Sequence, residues 1–130
     1  MREHMILDVI KSNNIKTPNI AITDVSPTCH MPDVIEAPYR PKMMNEASTG
    51  VEVLIGGPSC LAGDNIGKYK FDSLPKVGDR IIFLDQAHYT IVKTSSFNGI
   101  SHPSIILWDS KTNQLDIIKT HSFEDYEMRL

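Results

Sequence analysis

Apolar residues occur in this sequence as short runs, each cut off by glycine, proline or a polar turn, and hardly any repeat at the spacing of an amphipathic helix. Such punctuation restricts a chain to short strands joined by tight connections. Met5, Leu7 and Val9 alternate with Ile6, Asp8 and Ile10, which predicts a half-buried strand. Residues 20–25 (IAITDV) read as its hairpin partner across the polar loop 11–19. Further strands are expected over 51–55, 80–84, 88–94, 105–108 and 115–118. Pro32 suits the first position of one helical turn over 33–37, which Pro38 then stops. Turns are expected at 76–79 (KVGD), at Asn98-Gly99 and over 109–114, and Ser122 with Asp125 makes a capping box for a final short helix. Seven or so strands with sharp turns describe a mainly β chain, a closed or nearly closed β-barrel or sandwich, forming one domain over 1–130.

At 130 residues the chain suits a single core. Thirteen basic and 16 acidic side chains give a net charge of −3, with no basic block, so a nucleic-acid partner is not expected, whereas a polycationic ligand would not be repelled. Cys29 and Cys60 are the only cysteines, too few for a disulfide framework. No apolar run approaches the roughly 20 residues of a membrane helix. The first ten residues carry charges inside their apolar stretch and lack a small-residue cleavage site, so a cytoplasmic protein is expected.

Three constellations carry possible chemistry. The loop Gly56-Gly57-Pro58-Ser59-Cys60-Leu61-Ala62-Gly63-Asp64 follows a strand, and its glycines allow a tight exposed turn on which Cys60 and Asp64 can share a cleft. A cysteine there can donate a proton; an inert structural cysteine fits the same letters. Tyr89, in Asp85-Gln86-Ala87-His88-Tyr89-Thr90, either offers its hydroxyl to a phosphate or packs its ring in the core. Asp33 and Glu36 lie three apart on the helical turn and can present two carboxylates to an ammonium-rich ligand, with Arg40 able to fork onto a carboxylate; a solvated turn with a surface ion pair suits them equally. Cys29-His30, Cys60 and His88 are soft ligands whose spacing fits no zinc pattern, so no metal is expected.

Taken together, these segments resemble one family. GGPSCLAGD and KVGDRIIFLDQAHYTIVKTSSFNG are similar to the cysteine loop, and the segment after it, of the fold-type III pyridoxal-phosphate decarboxylases. ITDVSPTCHMPDVIEAPYRP resembles the carboxynorspermidine/carboxyspermidine decarboxylase branch, and the resemblance runs from about Met5 to the end. It implies a C-terminal, Greek-key-like β-domain that joins a pyridoxal-phosphate-binding (β/α)8 barrel, with active sites at the interface of a head-to-tail homodimer. It further implies that Cys60 enters the partner's site and protonates the carbanion left when carbon dioxide departs. Tyr89 would bind the pyridoxal 5'-phosphate phosphate, Asp33 and Glu36 the amino groups of a carboxylated polyamine. Arg40 and Asp64 lie in matching segments as further substrate-binding candidates.

Two departures qualify the resemblance. Ornithine-type members carry an acidic residue after the cysteine, where this chain has Leu61. No segment resembles the barrel with its Schiff-base lysine, so the chain is expected to be part of an enzyme of polyamine biosynthesis and inactive alone. The competing expectation is a stand-alone, non-catalytic β-barrel that binds or assembles with a partner.

Overall fold

A computed structural model describes residues 4–12 and 18–130. Its strands are β1 (His4–Ser12), β2 (Asn19–Thr23), β3 (Val51–Gly56), β4 (Asn65–Phe71), β5 (Arg80–Leu84), β6 (Ile105–Asp109) and β7 (Gln114–Lys119). Four short helices, α1 (Pro27–His30), α2 (Pro32–Glu36), α3 (Tyr89–Val92) and α4 (Phe123–Glu127), and a 3-10 turn at Phe97–Gly99 complete it. No described helix is long and apolar enough to cross a membrane.

The first five strands form one sheet in the order β4-β3-β2-β1-β5. β1 pairs antiparallel with β2, as the sequence predicted, and also with β5, while β3 pairs antiparallel with β4. β2 and β3 are parallel, which no tight turn can connect, and the stretch between them carries α1 and α2. The helices of the candidate site therefore occupy a topologically required crossover.

Alternation places Val53 and Ile55 of β3, Ile81 and Phe83 of β5, and Val9 and Ala21 in the core. In β4 the buried residues are Ile66 and Tyr69, three apart rather than two. Ile55 pairs with Gly67 but Gly56 with Asn65, so Ile66 is the extra residue of a β-bulge, and Gly67 takes the positive φ of 119° there. The outer strands β4 and β5 curl toward each other: Tyr69 and Phe83 meet edge to face at 5.1 Å. The chain at 42–47 spans the gap. Met44 N–H donates to Ile82 O (2.8 Å), Leu84 N–H to Lys42 O (2.8 Å) and Ala47 N–H to Lys70 O (3.0 Å). Both sheet edges are thus paired along this segment, which gives the nearly closed barrel that the spacing of short strands implied.

β6 and β7 form a separate hairpin. Ile106 faces Ile117 and Trp108 faces Leu115 across it, so one face is wholly apolar, and all four are exposed. The expected cap of α4 is present, with Ser122 N–H donating to Asp125 Oδ2 at 3.0 Å.

Two expectations fail. Residues 88–94 are not a strand: His88 has φ 55°, and the chain turns into α3. Its β-branched residues favour a strand, but only Thr90 is buried while Ile91 and Val92 face outward, so tertiary anchoring of one hydroxyl overrides propensity. β4 was not anticipated, because its bulge and glycine break the period-two pattern. The expected loop 11–19 falls partly outside the described residues.

Candidate functional site

The cysteine loop is rigid at its base and open at its tip. Gly57 N–H donates to Asp64 O (2.8 Å), and Asp64 N–H to Leu61 O (3.0 Å). The buried Asp64 carboxylate accepts from Ser26 Oγ (2.9 and 3.0 Å), Thr28 N–H (2.8 Å) and Ser59 N–H (3.0 Å). Burial opposes its charge, but the bonds from Thr28, Ser59 and Ser26 outweigh burial and hold it below the usual aspartate range. Both Asp64 oxygens thus accept hydrogen bonds within the chain, which gives the residue a structural part in holding the loop to α1. A Cβ on Gly57 would lie 2.3 Å from Asp64 Oδ2, so the glycine is required by close packing. Above this base, Cys60 and Leu61 are exposed.

Ser26 shows why α1 forms there. Its side chain accepts from Cys29 N–H (3.2 Å) as an N-cap, and Pro27 takes the first helical position. The same hydroxyl donates to Asp64, so one serine caps α1 and ties it to the cysteine loop. His30 follows, buried, with Nδ1 accepting from Ser26 N–H at 3.2 Å. Burial first, then the nearby His102, pushes its pKa from 6.5 to about 4.

The carboxylates of α2 face α3. Asp33 accepts from Tyr39 Oη (2.9 Å) and from Thr90 Oγ1 (3.3 Å), while Glu36 pairs with Lys93. Burial, then the bond to Asp33, raises the Tyr39 pKa, so the phenol stays a donor. Tyr89, beside Thr90, is 65% exposed, which excludes the alternative of a core ring, and Lys93 Nζ lies 5.6 Å from its ring centroid. Asp33, Glu36 and Tyr89 are therefore brought into one neighbourhood through Thr90 and Lys93. Arg40 is not part of it: the guanidinium pairs with Glu46, donates to Lys68 O (3.0 Å) and stacks 3.9 Å from the Tyr69 ring. Those bonds make it a brace across the barrel.

No contact joins Cys60 to Tyr89 directly. The connection runs through the segment after α3, where Ser95 N–H donates to Cys29 O (2.8 Å) and Asn98 touches Cys60. Sequence reasoning passed over Ser26, Thr90 and Asn98. The Ser-Pro pair signalled the first and the Asn98-Gly99 turn the place of the third, but no local pattern signalled the partners of Thr90 or Asn98.

No family model matches the chain. It is similar to carboxyaminopropylagmatine decarboxylase of Synechocystis sp., 47% identical over 89% of this chain and 31% of that protein. It is also similar to carboxynorspermidine/carboxyspermidine decarboxylase of Campylobacter jejuni, 40% identical over 95% of this chain and 35% of that protein. Among solved structures, carboxynorspermidine decarboxylase of Campylobacter jejuni in complex with norspermidine aligns with a TM-score of 0.89 and 38% identity, over 98% of this chain and 38% of that one. The chain thus spans about a third of the length of the curated relatives it matches.

Proposed function

We propose that this chain, a segment of a decarboxylase of the fold-type III family, is the C-terminal β-domain of a cytoplasmic enzyme that removes carbon dioxide from a carboxylated polyamine. The rest of the enzyme would be the (β/α)8 barrel, acting as a homodimer, with pyridoxal 5'-phosphate as cofactor. The donors present suit half of such a site: Tyr89 exposes a phenol fit for a phosphate oxygen, and Cys60 exposes a thiol. The cofactor, when bound, supplies the electron sink that makes loss of carbon dioxide possible. The chain's own part is to deliver a proton from Cys60 Sγ to the carbon that lost the carboxylate, and to hold ammonium groups of the substrate at Asp33 and, beside it, Glu36. Thr90 and Tyr39 aim the Asp33 carboxylate, and Lys93 tempers Glu36.

The observation that carries this reading is the contrast within the cysteine loop, an exposed thiol on a base that buried hydrogen bonds make rigid. An inert structural cysteine needs no such mounting. The apolar hairpin speaks in the same direction. Ile106, Trp108, Leu115 and Ile117 leave uncovered a face that a self-sufficient module would bury, whereas a domain docked on a barrel would use it.

The test is to produce the chain joined to its barrel and replace Cys60 by Ala. General acid catalysis contributes about 10² to 10⁴ in rate, so turnover should fall within that range while the cofactor still binds. Unchanged kinetics would refute the proton-donor role. Carboxynorspermidine, carboxyspermidine and carboxyaminopropylagmatine are compared as substrates, because the two relatives are named for different ones. The chain by itself should bind no pyridoxal phosphate tightly; tight binding would count against a half-site.

A further inference from the structure

Asn98 sits in the 3-10 turn that follows α3, with left-handed backbone (φ 59°, ψ 17°). Its side-chain oxygen accepts the backbone N–H of Cys60 at 3.4 Å and the thiol of Cys60 at 3.3 Å. An amide nitrogen cannot accept from the backbone N–H, so the partners themselves fix which end of the amide faces the cysteine. The turn is held from behind by α1. Ser95 N–H donates to Cys29 O (2.8 Å), and the buried Cys29 thiol approaches Phe97 O at 3.5 Å. Asp64 anchors the other side of the contact, the base of the loop that carries Cys60.

We propose that Asn98 is the positioning residue of Cys60. Left alone, the thiol on an exposed loop tip would populate several staggered rotamers and point its proton in several directions. One oxygen that receives both the N–H and the S–H of residue 60 selects one rotamer and so fixes where Sγ stands; the proton rests in the bond to Asn98 Oδ1 and leaves that bond when it is delivered. The residue type follows from two demands at once. Left-handed backbone favours glycine or asparagine, and glycine has no acceptor to offer. Aspartate meets both demands but sets a charge beside the thiol. Because the thiol can also bond to water, the bond is worth more in direction than in stability. The catalytic use of this bond rests on the proton-donor role proposed above; the bond itself does not.

The S–H stretching band tests it in the chain as it stands. Iodoacetamide removes the band of exposed Cys60 and spares buried Cys29, which identifies the relevant component. The Cys60 band should lie below that of a free thiol. Asn98→Gly, which tolerates the same backbone, should raise it and speed alkylation several-fold; Asn98→Asp, which keeps an acceptor, should leave it low. In the active protein Asn98→Gly should lower kcat about tenfold through lost orientation, with KM unchanged. A free-thiol band in the unaltered chain, or a band unmoved by Asn98→Gly, overturns the proposal. Should Asn98→Gly not fold, the unaltered chain and Asn98→Asp still decide it. A low band that responds as expected, with turnover unaffected by Cys60→Ala, leaves the bond standing and removes its catalytic use.

Discussion

Replacing Asp64 by Asn should unfold the barrel more easily and loosen the cysteine loop first. The carboxylate accepts from three donors, Ser26 Oγ, Thr28 N–H and Ser59 N–H, and its residue is 7% exposed. A hydrogen bond to a charged group is worth roughly 1.5–3 kcal/mol, and one between neutral groups about 1. Asparagine keeps one acceptor oxygen and turns an NH2 toward a donor. One charged bond is lost and the two others become neutral, a cost of about 2.5–7 kcal/mol. For a domain of this size that is a drop in Tm of roughly 10 °C or more. Urea unfolding followed by circular dichroism measures the loss, and hydrogen exchange at the Thr28 and Ser59 amides locates it. Gly57→Ala attacks the same point, since its Cβ would lie 2.3 Å from Asp64 Oδ2 and 2.7 Å from Pro27 Cδ. The two substitutions should therefore be less than additive. A loss under about 1 kcal/mol for Asp64→Asn, with exchange at Ser59 unchanged, would refute the argument that this carboxylate organises the loop.

Acid should act through a different group and earlier. His30 has its pKa lowered from 6.5 to about 4, so between those values the unfolded chain binds the proton more readily, and stability falls as pH drops through that window. The loss should be about 2 kcal/mol between pH 7.5 and pH 5, and it should shrink in His30→Gln. His102 is shifted the same way, by burial and then by Arg129 and His121, with Asp125 opposing and Lys119 assisting, so it adds to the effect. Asp64 acts in the same direction at lower pH: its depressed pKa contributes stability that is present above the ordinary carboxylate value and is lost as pH falls through the depressed one. Thr90→Val keeps the shape of a buried side chain but removes a donor to Asp33. It should cost about 1–2 kcal/mol in urea unfolding and, in the active protein, raise KM for the polyamine with little change in kcat. A lowered kcat with unaltered KM would place Asp33 away from the substrate's amines.

Strands were legible wherever alternation ran undisturbed. Val51 to Ile55 and Arg80 to Leu84 bury every second residue, and the KVGD turn announced itself through Gly78, whose φ is 93°. β4 hid behind its bulge, because an extra Ile66 shifts the inward positions from a spacing of two to three. Residues 89–92 misled for the opposite reason. Their letters favour a strand, but His88 turns the backbone left-handed, and the buried hydroxyl of Thr90 has its partner in Asp33, 57 residues away. A pairing so distant leaves no trace in a local window.

The same limit explains the two aspartates. Asp33 and Asp64 both stood beside motif residues, and from the letters alone both could face a ligand. Asp64 is buried and accepts from backbone N–H groups of its own loop and of α1 and from the Ser26 hydroxyl. Asp33 sits at the surface of the crossover, with a phenol and a hydroxyl on one side and solvent on the other. What separates them is the number of donors that the fold brings within reach, a property of packing rather than of residue type. The same reasoning distinguishes the cysteines. Cys29 is buried in α1 against Phe97 O, whereas Cys60 is exposed and bonds Asn98, so of the two thiols that of Cys60 is the one open to solvent.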